Sequence, residues 1–283
     1  MEEILFTKMH GAGNDYLYVN CMDSVPSDIP QLAIDMSDRH KGVGADGLIL
    51  IIPSDIADFR MRMFNADGSE GRMCGNASRC IAKYVHDYGL TDATTVTLET
   101  LSGVKTLVMH PDADGHVGMV TVDMGAPVLE AARVPVVCGL ERMLRQPVMT
   151  SAGELEITAV SMGNPHGVIF IDTSVADFDV HGVGRELECH AMWPDRANIE
   201  FARVLSDTDI EMRVWERGSG ETLACGTGAC ATAVAASLSG LTSREVTLHL
   251  PGGDLKIRWD RSTDHVFMTG PAATIMEGRY FRE

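Results

Sequence analysis

Met212-Arg213-Val214-Trp215-Glu216, followed by Glu221 and then Cys225-Gly226-Thr227, repeats an earlier stretch of the same chain: Met61-Arg62-Met63-Phe64-Asn65, Glu70 and Cys74-Gly75-Asn76. The offset is 151 positions throughout (225 − 74, 221 − 70, 212 − 61), and the match continues to Gly89-Leu90 and Gly240-Leu241. In each copy a cysteine stands just before a short Gly-containing turn that opens a helical pattern. The repeat reads as an internal duplication that puts one thiol in each half. Two such thiols facing one another would suit proton chemistry on both faces of one carbon.

The surrounding pattern is mixed. Runs dominated by β-branched and aromatic residues and punctuated by Gly, Pro, Asp and Ser predict strands. In the first half these are residues 4–8, 16–20, 47–52, 59–64, 96–100, 105–110 and 117–123. In the second they are 155–161, 167–171, 198–205, 210–215, 246–249, 254–259 and 265–269. The clearest helices start at the two thiols. Ala77, Cys80, Ile81, Tyr84, Val85 and Tyr88 recur at three- and four-residue spacing and stop at Gly89; Ala229, Cys230, Ala233, Val234 and Leu238 do so before Gly240. The second helix has no charged residue from Gly226 to Gly240. A helix apolar on all sides is a buried one, so the expected architecture is a sheet curled about a helix in each half. With 283 residues, two domains of roughly 140 each fit ordinary domain sizes. A boundary falls near Gly125-Ala126-Pro127, giving 1–125 with Cys74 and 126–271 with Cys225, and residues 272–283 are expected to return to the first domain.

The charge balance, 23 − 40 = −17, argues against a nucleic-acid backbone or an anionic membrane as partner. Glu2 and Glu3 interrupt a short N-terminus unlike a signal peptide, and no segment approaches the roughly 20 apolar residues of a span. The seven cysteines are odd in number and unclustered, so the expectation is a reducing, cytoplasmic setting and free thiols.

A helix N-terminus lowers the pKa of a thiol through its dipole and free N–H groups, which singles out Cys74 and Cys225 as functional. Cys21, Cys80, Cys138, Cys189 and Cys230 read as small hydrophobes. No C-x-x-C or H-E-x-x-H occurs, and no metal is expected. Gly42-Val43-Gly44-Ala45-Asp46-Gly47 has the letters of a dinucleotide fingerprint, but a strand pattern follows where that site needs a helix. It reads as a tight loop. No P-loop is present, and no lysine stands in a context suggesting a pyridoxal Schiff base. Asn14, Asn65, Asn164 and Asn198 flank glycines or strand ends. Turn chemistry accounts for each singly, whereas together with Glu216 and Arg217 they could hold ammonium and carboxylate groups.

The stretches Asn65-Ala66-Asp67-Gly68-Ser69-Glu70…Cys74-Gly75-Asn76, Gly163-Asn164-Pro165-His166, Glu216-Arg217-Gly218-Ser219-Gly220-Glu221-Thr222…Ala224-Cys225-Gly226-Thr227-Gly228 and His10-Gly11-Ala12-Gly13-Asn14-Asp15 resemble diaminopimelate epimerase along the whole chain and in order. The resemblance implies an α/β (α+β) fold of two pseudo-symmetric lobes, each a β-barrel-like sheet around a central helix, with the active site in the interlobe cleft. It implies a cofactor-independent isomerase of lysine and peptidoglycan precursor synthesis. Such an enzyme interconverts LL- and meso-2,6-diaminopimelate by a thiolate and a thiol. It further implies Cys225 as proton acceptor and Cys74 as donor for the LL substrate, with His166 and Glu216 tuning the thiols. Asn14, Asn65, Asn164, Asn198, Glu216 and Arg217 would hold the substrate, and the N–H groups of Gly75, Asn76, Gly226 and Thr227 its carboxylate. A homodimer would follow.

Three positions depart from the family pattern: Ala77 for a second Gly, Gly47 for a substrate-contacting Gln of some members, and Met276 for a dimer-contact Tyr. The rival reading is a two-cysteine proline or hydroxyproline racemase-like isomerase. A phenazine-type isomerase lacks the paired cysteines, and a non-catalytic binding protein would have no need of both thiols.

Overall fold

The computed structural model describes residues 2–282; Met1 and Glu283, the outer ends of the expected domain division, lie outside the described residues. The chain folds as two compact units, Met1–Asp123 with Thr269–Glu283, and Met124–Met268.

In the first unit β1 (Glu2–Gly11) turns through Ala12 and Gly13, both at positive φ, into β2 (Asn14–Asn20). The pairing Gly11↔Asn14 makes this a two-residue hairpin whose turn twists with the strands. After α1 (Ile29–Ser37), β3 (Gly47–Ile52) runs parallel to β2, and β4 (Phe59–Asn65) folds back on β3. The short β5 (Glu70–Gly71) leads into α2 (Gly75–Asp87), then β6 (Thr95–Thr100), β7 (Gly103–Pro111) and β8 (Val117–Asp123).

The second unit repeats the plan after β9 (Gln146–Thr150) and β10 (Gly153–Ser161). It continues with β11 (Pro165–Phe170), α3 (Val180–Glu188), β12 (Asn198–Val204), β13 (Asp209–Glu216) and β14 (Gly220–Thr222). Then come α4 (Gly226–Leu238), β15 (Glu245–Leu250), β16 (Gly253–Trp259) and the start of β17 (Val266–Pro271), whose residues from Thr269 onward belong to the first unit. The last strand, β18 (Ala273–Arg282), pairs antiparallel with β1, so the C-terminal residues belong to the first unit. The duplication is visible in the ladders: β2–β3 and β11–β12 are parallel, as are β4–β6 and β13–β15.

Each unit wraps its sheet around one helix. α2 touches β1, β2, β7, β8 and β18. α4 touches β10, β11, β12, β15 and β16. The second contact set follows from composition: Ala229, Cys230, Ala231, Ala235 and Ala236 are fully buried, and small side chains let strands approach the helix from several directions. Both helices end as the sequence predicts, at glycines in the left-handed region. Gly89 has φ 70° and Gly240 φ 69°, and the N–H groups of Leu90 and Leu241 reach back to Val85 and Ala236 at 2.8 and 3.0 Å.

The strand reading holds with boundary shifts of a few residues, but β5, β9, β14, β18, α1 and α3 are additions. β18 carries little buried surface, so its residues lack the alternation that marks a half-buried strand. α1 starts from Asp28 in left-handed backbone with no side-chain cap. α3 contains Gly182 and Gly184, which lower helix propensity; Asp179 compensates by accepting from Gly182 N at 2.8 Å.

Ala235→Leu inserts three carbons into a fully buried wall of α4 and is expected to destabilise the protein by about 1–3 kcal/mol in urea unfolding. An unchanged midpoint would show that α4 is looser than this packing requires.

Candidate active site

In the first unit Cys74 is the N-cap of α2, half-buried, with extended backbone. Its Sγ donates to Asn14 Oδ1 at 3.4 Å, and Asn76 Nδ2 donates to the same oxygen at 3.4 Å. Asn14 is held by its other end, since Nδ2 donates to Asp46 Oδ2 at 2.7 Å. Asp46 in turn meets Arg39 at 3.0 Å, Arg39 meets Asp15 at 2.9 Å, and Lys8 meets Asp15 at 2.9 Å. Burial pushes the Asp15 carboxyl up, but its bonds to Arg39 and Lys8 outweigh that and hold it below the usual range. The loop read as a false dinucleotide fingerprint thus supplies, through Asp46, the acceptor that orients Asn14. Asn65, at the end of β4, donates instead to Ser69 Oγ at 3.0 Å within its own turn.

In the second unit the starts of β11 and β12, the end of β13 and the N-terminus of α4 lie together. Parallel pairing sets His166 opposite Asn198, and the antiparallel β12–β13 ladder brings the Glu216–Arg217 turn beside them. Asn198 is buried and uses both amide ends within the protein. Its Nδ2 donates to Pro165 O at 3.0 Å and its Oδ1 accepts from Arg217 N at 3.0 Å. Arg217 Nη1 donates to Asp195 O at 3.0 Å. Asn164 sits between His166 Nε2 at 3.1 Å and Thr227 Oγ1 at 3.4 Å.

Cys225 caps α4 and is buried; its Sγ accepts from Gly228 N at 3.4 Å and meets Thr227 Oγ1 at 3.4 Å. The expectation that a helix end lowers the thiol pKa is reversed here. Burial, and then the charges of Glu216 and Glu200, push the Cys225 thiol well above its ordinary value, and the bonds from Thr227 and Gly228 only oppose that. The carboxyl of Glu216 is also raised, by desolvation against the lowering bond from Thr222 at 2.5 Å. A raised thiol beside a raised carboxyl makes two groups between which one proton can pass. The N–H groups of Gly75, Asn76, Gly226 and Thr227 occupy the first turns of α2 and α4, where helix geometry offers no intrahelical acceptor.

Three carboxylates were missed by the sequence reading. Asp46 holds Asn14. Glu188, at the end of α3, accepts from Trp215 Nε1 at 2.8 Å and Gly218 N at 2.9 Å and so pins the turn carrying Arg217. Glu200 is fully buried on β12 against His166 Nδ1 at 2.7 Å. Its signal was available: a lone charge within the apolar run Ile199-Glu200-Phe201-Ala202 needs a buried partner.

The departures have local explanations. A Cβ on Gly47 would meet Phe64 O at 2.1 Å, so no side chain fits there. Ala77 is buried in α2 and is not among the residues with positive φ. Met276 is exposed on β18, opposite Lys8. Among the described residues no group of acidic, His and Cys side chains could hold a metal ion, and no helix is long and apolar enough to cross a membrane.

The profile of the diaminopimelate epimerase family matches residues 6–130 and 158–275. A diaminopimelate epimerase of Acetivibrio thermocellus is 50% identical over 273 residues, covering 96% of this chain and 97% of that protein. One of Phocaeicola vulgatus is 52% identical over 276 residues, covering 97% of each. Among solved structures, a PhzF-family phenazine biosynthesis protein of Bacillus anthracis has a TM-score of 0.71 at 16% identity over all of both chains. A hydroxyproline epimerase of Agrobacterium vitis has a TM-score of 0.67 at 16% identity, covering 99% of this chain and 91% of that one. At such identity these structures establish a shared fold alone.

Because its pKa is raised, Cys225 is expected to stay a thiol at neutral pH and to alkylate slowly with iodoacetamide, as read by peptide mass spectrometry. Removing the neighbouring charge in Glu216→Gln lowers the thiol pKa and should speed alkylation at fixed pH. A variant no faster than the parent would show that access alone protects this sulfur.

Proposed function

The chain belongs to the diaminopimelate epimerase family, and from that premise we propose that it interconverts LL- and meso-2,6-diaminopimelate without a cofactor, in lysine and peptidoglycan precursor synthesis. The α-hydrogen of an amino acid is a very weak acid, so the reaction needs a strong base and preorganised stabilisation of the charge that develops. The observation that carries the reading is the Cys225–Glu216 pair at the head of α4. The Cys225 thiol gives its proton to the Glu216 carboxylate, and the thiolate so formed takes the α-hydrogen of the LL substrate. Cys74 then delivers the proton of its own thiol to the opposite face of the carbanion. The product is the meso isomer, with Cys225 again a thiol, Cys74 a thiolate and the first proton held on Glu216; the reverse reaction exchanges the roles of the sulfurs and returns that proton to Cys225. The first-turn N–H groups of Gly75, Asn76, Gly226 and Thr227 bind the substrate carboxylate where its charge grows. His166 adjusts the proton balance beside them. Asn14, Asn65, Asn164, Glu216 and Arg217 hold the substrate's ammonium and carboxylate groups, and Asn198 contributes by fixing Arg217 in place.

The racemase alternative is not favoured. Relatives at about half identity over nearly the full chain carry the epimerase name, whereas the likeness to the hydroxyproline epimerase is one of fold. A cytoplasmic location and a homodimer complete the proposal; a monomer in sedimentation would remove the second.

In heavy water the reduced protein should exchange the α-hydrogen of LL-diaminopimelate, and Cys74→Ser and Cys225→Ser should each lose at least about a hundredfold of that rate. Exchange of proline but not diaminopimelate would overturn the assignment. Glu216→Gln should lose exchange similarly without losing stability at neutral pH. The sign follows from linkage: a carboxyl with a raised folded pKa binds more protons folded than unfolded, so its contribution falls as pH rises between the two values. The amide removes that fall while it can still accept from Thr222. A marked drop in melting temperature would count against a role confined to proton transfer.

A further inference from the structure

Glu200 is a fully buried carboxylate that the mechanism above does not use. One oxygen, Oε1, meets His166 Nδ1 at 2.7 Å, and the other has no hydrogen-bond partner among the described residues. Burying a carboxylate with so few partners is costly, and here it stands within the buried run Ile199-Glu200-Phe201-Ala202. Two features make room for it. The N-terminal turn of α4 is the favourable end of a helix for negative charge, and Gly228 in that turn has no side chain. A Cβ at Gly228 would lie 2.6 Å from Glu200 Oε1. Gly228 is therefore a spatial requirement: it lets the carboxylate sit against the helix end that Cys225 caps.

The imidazole is gripped from two sides. Nδ1 faces the Glu200 carboxylate, which can only accept when ionised, so Nδ1 carries the hydrogen. Nε2 faces the accepting Oδ1 of Asn164 at 3.1 Å, so it donates there whenever it carries a hydrogen, while the Nδ2 of the same amide donates to Thr227 Oγ1 beside Cys225. The charged and titratable groups around this ring in its unit are Glu200 on β12, Glu216 on β13 and Cys225 at the head of α4.

We propose that Glu200 is a positioning residue for the epimerisation: it locks the His166 ring by its Nδ1 hydrogen, so that Nε2 is the nitrogen that gains and loses a proton on the side of Asn164 and the α4 N-terminus. The arrangement is that of carboxylate–imidazole pairs elsewhere, where the carboxylate fixes tautomer and ring orientation. In catalytic terms the inference rests on the epimerase reading, because it gives His166 a defined proton position there.

The test is nitrogen-15 NMR of protein labelled at histidine, assigned with His166→Asn. In the parent, His166 should show a hydrogen-bearing Nδ1 with a strongly downfield proton. Glu200→Gln should move that proton upfield, and Gly228→Ala, which intrudes on the carboxylate from the helix side, should move it too. In the exchange assay Glu200→Gln should lower kcat roughly tenfold or more while KM changes less than about twofold. A merely structural carboxylate would lower melting temperature without moving the Nδ1 signal or splitting kcat from KM. A parent spectrum with the hydrogen on Nε2 alone overturns the proposal even if every variant fails to fold, as does an unchanged Nδ1 signal in folded Glu200→Gln. The spectra need no substrate, so absence of diaminopimelate exchange with the expected Nδ1 signal would sink the functional reading and leave the positioning of His166 standing.

Discussion

A helix without a charged side chain must be enclosed, and the rest of the second unit depends on that enclosure. From Gly226 to Gly240 no residue is charged, and five of the thirteen residues of α4 are alanine. Strands β10, β11, β12, β15 and β16 surround it. Enclosure creates a second demand at the helix's N-terminal end, where backbone N–H groups have no partner in the helix. Here the sulfur of Cys225 answers one of them, through Gly228 N. Carboxylates gather at the same end because it is where negative charge is best tolerated inside a low-dielectric interior. The candidate site lies where the packing leaves donors to be satisfied.

The two halves solve this differently. Cys225 is buried and flanked by Glu216 and Glu200, so burial and like charge favour the protonated thiol. Cys74 is half-buried and contacts the amide oxygen of Asn14. Asn14 is anchored by a surface-facing set of ion pairs through Asp46, Arg39, Asp15 and Lys8. Equal helix ends thus have unequal surroundings: one thiol meets a neutral amide, the other two carboxylates.

Elements whose residues alternate or repeat toward a core were legible in the chain: β3 and β8 have the bounds read from the sequence, and both thiol helices start and stop where their Cys-Gly and Gly signals stand. β18 was not legible, because a strand exposed on most of its length has no hydrophobic rhythm and is held by its backbone ladder to β1. α1 and α3 were hidden by a Pro at the start of one and glycines within the other. Among site residues, the paired cysteines and the Glu216–Arg217 turn could be read because the duplication marks them. Asp46, Glu188 and Glu200 could not be placed, because their partners are 27 to 34 positions away: Asn14 is 32 from Asp46, Trp215 27 from Glu188, and His166 34 from Glu200.

The chain by itself determined that there are two related halves, that each carries a cysteine at a helix start, and that the second helix is buried. These follow from local pattern and composition, which act over a few residues or one turn. Tertiary structure decided the proton affinity of Cys225, the use of Asn198 as a brace for Arg217, and the grip of Glu200 on His166. Desolvation and hydrogen bonding depend on what three-dimensional packing brings within a few ångströms. A helix N-terminus that lowers a thiol pKa in isolation raises no objection to the opposite outcome once burial and two carboxylates outweigh it.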